Sequence, residues 1–226
     1  MIMNPAPGRA RSMRDSNDLT QTAAAWVPEH ANIDELKRAA EDCRGCELWK
    51  PATQVVFSAG NPRAPLALVG EQPGDVEDRK GIPFVGPAGR LLQDALAEAG
   101  VPREDVYVTN AVKHFRFSER GKRRIHATPQ VTHIKACRPW LEAELTLVDP
   151  ALIVCLGAVA ARSLLGTTFR VSQQRGQVLE LATPIGVRSV LATVHPSAVL
   201  RAASEDRSAA FAGLVADLRT ARTAVA

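Results

Sequence analysis

The stretch LALVGEQPGDVEDRKGIPFVGPAGRLLQDALAEAG, residues 66–100, decides how the chain folds. Leu66 to Val69 is short, wholly apolar and followed by Gly70, as expected of a strand buried on both faces within a parallel sheet. Leu91, Leu92, Ala95, Leu96 and Ala99 then recur at helical spacing, and the run stops at Gly100. The strand-then-helix order repeats outward. Val106 to Thr109 reads as a strand, Thr132 to Leu147 as a helix, Leu152 to Leu156 as a strand and Ala158 to Leu165 as a helix. A hairpin-like pair, Val178 to Leu181 and Ser189 to Val194, leads into a closing helix from about Ser208 to Ala221. Such alternation predicts an α/β protein with a mostly parallel sheet between layers of helix.

A chain of 226 residues with 46% hydrophobic content can bury one full core, so a single domain over residues 25–226 is expected. Residues 1–24, rich in Ala, Arg, Asn and Ser, show no sustained periodicity and read as a disordered extension. The chain has neither a signal-peptide core nor a long apolar span, which predicts a cytoplasmic, reducing setting and no membrane. No heptad pattern argues for an oligomer, and a monomer is expected.

In open α/β sheets ligands bind outside the carboxyl ends of the strands, so the residues just after each strand carry the most information. Here they are Glu71, Asn110, Gly157 and His195. Three of the four can hydrogen-bond a heterocycle or move a proton. Between the second and third strands lies KHFRFSERGKRRIH (113–126), with six cationic side chains against Glu119 alone. The formal charge of the whole chain is only +4, so the remainder is nearly neutral. A concentrated basic loop interleaved with Phe115 and Phe117 suits phosphate contacts and base stacking; a solvated loop is the plain alternative.

Cys43 and Cys46 form a C-x-x-C after the helical stretch IDELKRAAEDC, and Cys137 sits far along the chain in ACRPW. Soft thiolates of this kind suit zinc or an iron–sulfur cluster. Cys155, in the middle of the apolar strand LIVCLG, reads as a small buried hydrophobe. His114 follows a strand end on the segment leading to Cys137 and is the natural fourth ligand. Composition does not separate a Cys3His zinc site from a Cys3His iron–sulfur site.

Taken together and in this order, GEQPGD, GIPFVGPAGRLL, TNAVKH, ACRPW and HPSAVLR resemble the iron–sulfur uracil-DNA glycosylases of the family 4 type, over about Ile33 to Leu218. Two features depart from ordinary members: a histidine where those enzymes usually carry a cysteine after the N-x-x-K motif, and an inserted loop ending in KRRIH. Both resemble the cross-linking subgroup called UdgX, whose inserted histidine bonds covalently to the abasic sugar once uracil has left. The resemblance implies a three-layer α/β/α sandwich around a four-stranded, mostly parallel sheet. It also implies a 4Fe-4S cluster on Cys43, Cys46, His114 and Cys137, and uracil-containing DNA as partner, single-stranded DNA being preferred.

Carried over by motif, Phe84 stacks on the flipped-out uracil and the Asn110 carboxamide pairs with its edge, one donor and one acceptor meeting uracil's carbonyl and imide N–H. His195 hydrogen-bonds the uracil O2, helped by backbone N–H groups in the turn after Gly70. Glu71 either stabilises the sugar cation or takes a proton from the attacking group. Gln72 and Asp75 belong to the pocket wall. His126 is the nucleophile, held over the site by Lys122, Arg123 and Arg124 gripping phosphates, with Ile125 packing beneath. Ser197 and Arg201 supply further backbone contacts. The competing readings are a hydrolytic glycosylase that turns over, a noncatalytic DNA-damage sensor, and electron transfer by the cluster.

Overall fold

The computed structural model describes residues 22–226. Its strands are β1 (Ser58–Gly60), β2 (Leu66–Gly70), β3 (Val106–Asn110), β4 (Phe117–Arg120), β5 (Arg123–His126), β6 (Leu152–Leu156), β7 (Val178–Thr183) and β8 (Gly186–Thr193). Its α-helices are α1 (Ile33–Ala40), α2 (Asp75–Lys80), α3 (Pro87–Ala99), α4 (Val131–Val148), α5 (Ala158–Leu165), α6 (Val171–Gln174), α7 (Pro196–Arg201) and α8 (Arg207–Ala224).

The main sheet runs β1-β3-β2-β6-β8-β7. Its four central strands are parallel, with Gly70 opposite Asn110, Val69 opposite Cys155 and Leu156 opposite Thr193. The sheet therefore has six strands, where four were expected, because antiparallel β1 and β7 close its two edges. The three-residue β1, Ser-Ala-Gly, is too short and too weakly apolar to leave a period in the sequence. Residues of β2 and β6 alternate between the two faces. Leu66, Leu68, Val154 and Leu156 pack under α3 and α8, whereas Ala67, Val69, Ile153 and Cys155 pack against α4 and α5. The result is the expected helix–sheet–helix sandwich.

A third cluster joins Leu36, Cys43 and Trp140 to Tyr107 and fastens the N-terminal segment to α4. Residues 1–21 of the expected extension lie outside the described residues. Residues 22–24 do not fit that expectation: Thr22 caps a short 3-10 helix, Ala23–Trp26, and Ala23 is buried. None of the described helices is long and apolar enough to cross a membrane.

The basic segment is a two-stranded ribbon and no part of the main sheet. Phe117 faces His126, Arg120 faces Arg123, and Gly121 and Lys122 make the turn. Gly121 takes a φ of 60°, the positive value that tight hairpin turns require. Its charged strands offered no apolar alternation from which to read it.

Candidate active site at the strand ends

β2 lies between β3 and β6, so the chain leaves β2 toward one side and later returns on the other. That switch of direction opens a crevice at the carboxyl ends of the strands. A cleft of about 880 Å³ occupies it, and Glu71, Phe84, Asn110, His126 and His195 all contribute to its lining. Gln72, Asp75, Ser197 and Arg201 line it as well. Lys122 and Arg123 are exposed near the ribbon's turn and do not belong to this lining.

Asn110 is the last residue of β3 and is buried. Gly70 stands behind it: a Cβ there would lie 2.4 Å from Asn110 Oδ1 and 2.7 Å from Phe84 Cζ, so only glycine lets both side chains close on the strand end. Phe84 itself has a φ of 55°, a strained conformation for a bulky residue. The buried Glu77 braces the loop that carries it, accepting a 2.8 Å hydrogen bond from the Gly86 amide.

His195 caps α7, and its Nδ1 accepts the Ser197 amide hydrogen at 3.1 Å. The Ser197 hydroxyl is 2.8 Å from the same nitrogen. With Nδ1 used as an acceptor, a neutral ring carries its proton on Nε2. Burial, reinforced by the charge of Arg201, pulls the His195 pKa down to about 4 and keeps the ring neutral. Its ring is roughly parallel to Phe84, with centroids 6.4 Å apart. Ser197, expected at a DNA phosphate, is thus engaged with His195.

Burial raises the pKa of Glu71, partly opposed by Arg201, and its Oε1 is buried without a hydrogen-bond partner. The nearby base is His126, whose Nε2 lies 3.4 Å from that oxygen. Desolvation at the cleft wall, followed by the charge of Arg201, lowers the His126 pKa and so favours the neutral ring, although the side chain is 48% exposed. A carboxylate oxygen without a partner, a neutral imidazole and an imidazole N–H donor therefore face one apolar-walled cleft. Such an arrangement can stabilise a developing cation, supply a nitrogen nucleophile and stabilise a departing anion.

The ribbon that carries His126 is held by polar clamps. Gln72 donates to the main-chain carbonyls of Arg116 (3.0 Å) and Ala127 (3.2 Å) and accepts from the Arg116 amide (3.0 Å), which pins both ends of the ribbon. Arg124 does not point out to grip phosphate as expected. Its guanidinium bonds Asp75 at 2.5 Å and the fully buried Asp78 at 2.6 Å, and stacks near Phe115 and Phe117. Two carboxylates outcompete solvent for a planar, forked cation. Ile125, expected to pack beneath the ribbon, is 43% exposed instead. Asp78 and Glu77 escaped the sequence reading because DVEDRK looks like an ordinary charged helix; only the fold turns these two inward.

Cys43, Cys46, His114 and Cys137 line a separate cavity together with Ala23, Gly45 and Trp140. Trp140 Nε1 donates to Cys43 Sγ and the Lys113 amide to Cys137 Sγ, both at 3.3 Å. Burial pushes the Cys46 thiol up to about 11 and the Cys137 thiol up to about 12, whereas it pulls His114 down to about 4. Three sulfurs, two of them already receiving N–H hydrogen bonds, and a neutral imidazole are a donor set that fits a soft metal group. Among the described residues, no three His, Cys, Asp or Glu side chains are grouped as they would be around a single metal ion. Cys155 is fully buried elsewhere, in the sheet.

A protein of Archaeoglobus fulgidus named type-4 uracil-DNA glycosylase is 39% identical over 173 residues, which cover 75% of this chain and 83% of that one. A protein of the same name from Thermotoga maritima is 37% identical over 175 residues, covering 77% of this chain and 86% of its own. Residues 57–219 match the Uracil DNA glycosylase superfamily, from β1 through most of α8 and including every strand-end residue of the cleft, and the chain belongs to that superfamily.

Proposed function

We propose that the protein excises uracil from DNA and that His126 then captures the sugar, leaving protein and DNA covalently joined. The observation that carries this reading is the 3.4 Å approach of His126 Nε2 to Glu71 in the cleft that Asn110 and His195 also line. The extruded uracil stacks on Phe84 and pairs its edge with the Asn110 carboxamide, whose donor and acceptor exclude cytosine. As the glycosidic bond breaks, its electron pair leaves on uracil, and the His195 Nε2–H stabilises the charge growing on O2. Glu71 steadies the positive charge developing on the sugar. The unprotonated nitrogen of His126 bonds to the anomeric carbon; the ring proton is released to solvent, and the uracil anion takes one up. A side chain held at the reacting carbon outcompetes water through its effective concentration.

Lys122, Arg123 and Arg201 contact backbone phosphates on this reading, and the protein acts as a monomer, preferring single-stranded DNA because no pairing then opposes extrusion of the base. Cys43, Cys46, His114 and Cys137 would hold a 4Fe-4S cluster, which ties the N-terminal segment to α4 and to the chain following Asn110. That role is structural, and no step of the reaction passes through it.

The test is denaturing electrophoresis of the protein with a labelled uracil oligonucleotide, a thymine control and the His126→Ala variant. The expected result is a uracil-dependent shifted band that survives denaturation and is absent in the variant. Sustained uracil release by the wild type without that band would leave a glycosylase that turns over; neither signal would leave a DNA-binding module.

A further inference from the structure

Directly behind Asn110, on the side away from the cleft, is an ion pair for which the chemistry described above has no use. Lys113 and Glu144 are both completely buried and bonded to each other. The ammonium has two more partners, Thr109 Oγ1 at 2.6 Å and the main-chain carbonyl of Asn110 at 3.0 Å, so all three of its hydrogens are engaged. Glu144 also accepts from the Tyr107 hydroxyl at 2.8 Å and from the Thr109 hydroxyl at 3.0 Å. The Phe57 ring covers the ammonium at 4.9 Å.

A buried ion pair is a poor device for stability alone, since apolar residues of similar volume commonly do as well. Its geometry suggests another use. After β3 the chain turns sharply, with the Ala111 amide bonded to the Gly70 carbonyl and the Val112 amide to the Glu71 carbonyl. These bonds hold the turn from the β2 side, and Lys113 holds it from below. The lysine's own amide donates to Cys137 Sγ, and its carbonyl accepts from Val56. Glu144 lies seven residues beyond Cys137 on α4, two turns along the same face. One helix thus grips residue 113 at two points, and residue 113 grips the carbonyl of the residue whose carboxamide enters the cleft.

We propose that Lys113, anchored by Glu144, is a positioning residue for uracil recognition: it fixes the rotation of Asn110 at the end of β3, and so the direction of its carboxamide. The inference rests on the glycosylase reading above. It predicts that removing the pair costs catalysis only through Asn110.

The experiment is a double-mutant cycle on the full-length, metal-loaded protein. Lys113→Met combined with Glu144→Gln removes both charges and leaves partners for Tyr107 and Thr109. Single-turnover uracil release from a labelled single-stranded oligonucleotide is followed in the wild type, in this paired variant, in Asn110→Ala and in all three changes together, over hours where needed. Release is expected to slow at least tenfold in the paired variant, while its affinity for an oligonucleotide bearing an abasic site changes less than twofold. Added to Asn110→Ala, the same pair of changes should slow release less than twofold further.

Equal losses in both backgrounds, or no loss in either, would overturn the proposal. Should the paired variant fail to fold, Thr109→Val takes its place, with a loss of at least threefold that disappears in the Asn110→Ala background; again, equal losses or none would overturn it. A wild-type protein that releases no uracil would overturn the glycosylase reading and this inference together, whereas an active wild type with additive losses would overturn this inference alone.

Discussion

The cleft is assembled from two regions built on opposite physical terms. Glu71, Asn110 and His195 stand at the ends of β2, β3 and β8, where β2, β3 and the half of β8 nearest the cleft are almost wholly buried and bonded to their neighbours. His126 stands on the β4–β5 ribbon, which pairs only with itself and is mostly exposed. The first region is held by apolar burial over the whole sheet. The second is held by Gln72, Arg124, Asp75 and Asp78. The groups proposed to read the base thus sit on the rigid scaffold, and the proposed nucleophile sits on a ribbon that a few side chains can release. The difference suggests that excision and capture are separable.

The largest expected effect tests the rigid side. Asn110→Ala should lower uracil excision by about 10²–10³-fold, the usual cost of losing one preorganised hydrogen-bonding group, and should reduce the adduct in proportion. An adduct that persisted while excision collapsed would break the division. Arg124→Met tests the ribbon side. It removes the charge-assisted bonds to both Asp75 and Asp78 and should lower adduct formation by at least about tenfold, while uracil release falls less than threefold. Quantifying both products in the same reaction decides between a clamp and a general collapse of the site.

The pH dependence sharpens the comparison. On the proposed mechanism His126 attacks only when neutral, and desolvation lowers its pKa below 6.5. Adduct formation should therefore be flat above that value and fall as pH is lowered through a midpoint beneath it. A midpoint above 6.5, in rates measured from pH 4.5 to 8, would contradict a nucleophile held neutral at the cleft wall. The smallest effect concerns the tip of the ribbon. Replacing Lys122 and Arg123 together with glutamine should leave excision at saturating DNA intact and flatten the salt dependence of single-strand binding by roughly 1.4 in slope, two phosphate contacts at about 0.7 each. An unchanged slope would take both residues off the DNA.

Much of this molecule was legible in advance. The apolar runs of β2 and β6 and the spacing of α3 gave away the layered sheet, because burial on both faces leaves no other pattern for such strands. Reading the residues after each strand found Glu71, Asn110 and His195, which the structure brings into one cleft. The count of strands was not legible: β1 is three residues long, and an edge strand is specified by its partner more than by its own pattern.

The charges were the least legible. Arg124 and Lys122 belong to the same basic run, yet one is clamped by Asp75 and Asp78 and the other faces solvent. Nothing local distinguishes them, and the same holds for Asp78 within DVEDRK and for Lys113 within TNAVKH. The sequence by itself determined the class of fold, the strand-end positions and the set of thiols, because hydrophobic period and residue chemistry are local properties. Which charges became clamps, which stayed free and which histidine nitrogen faces the cleft were decided only by the tertiary structure, because an ionic partner is chosen by proximity in space and by the exclusion of water around the pair.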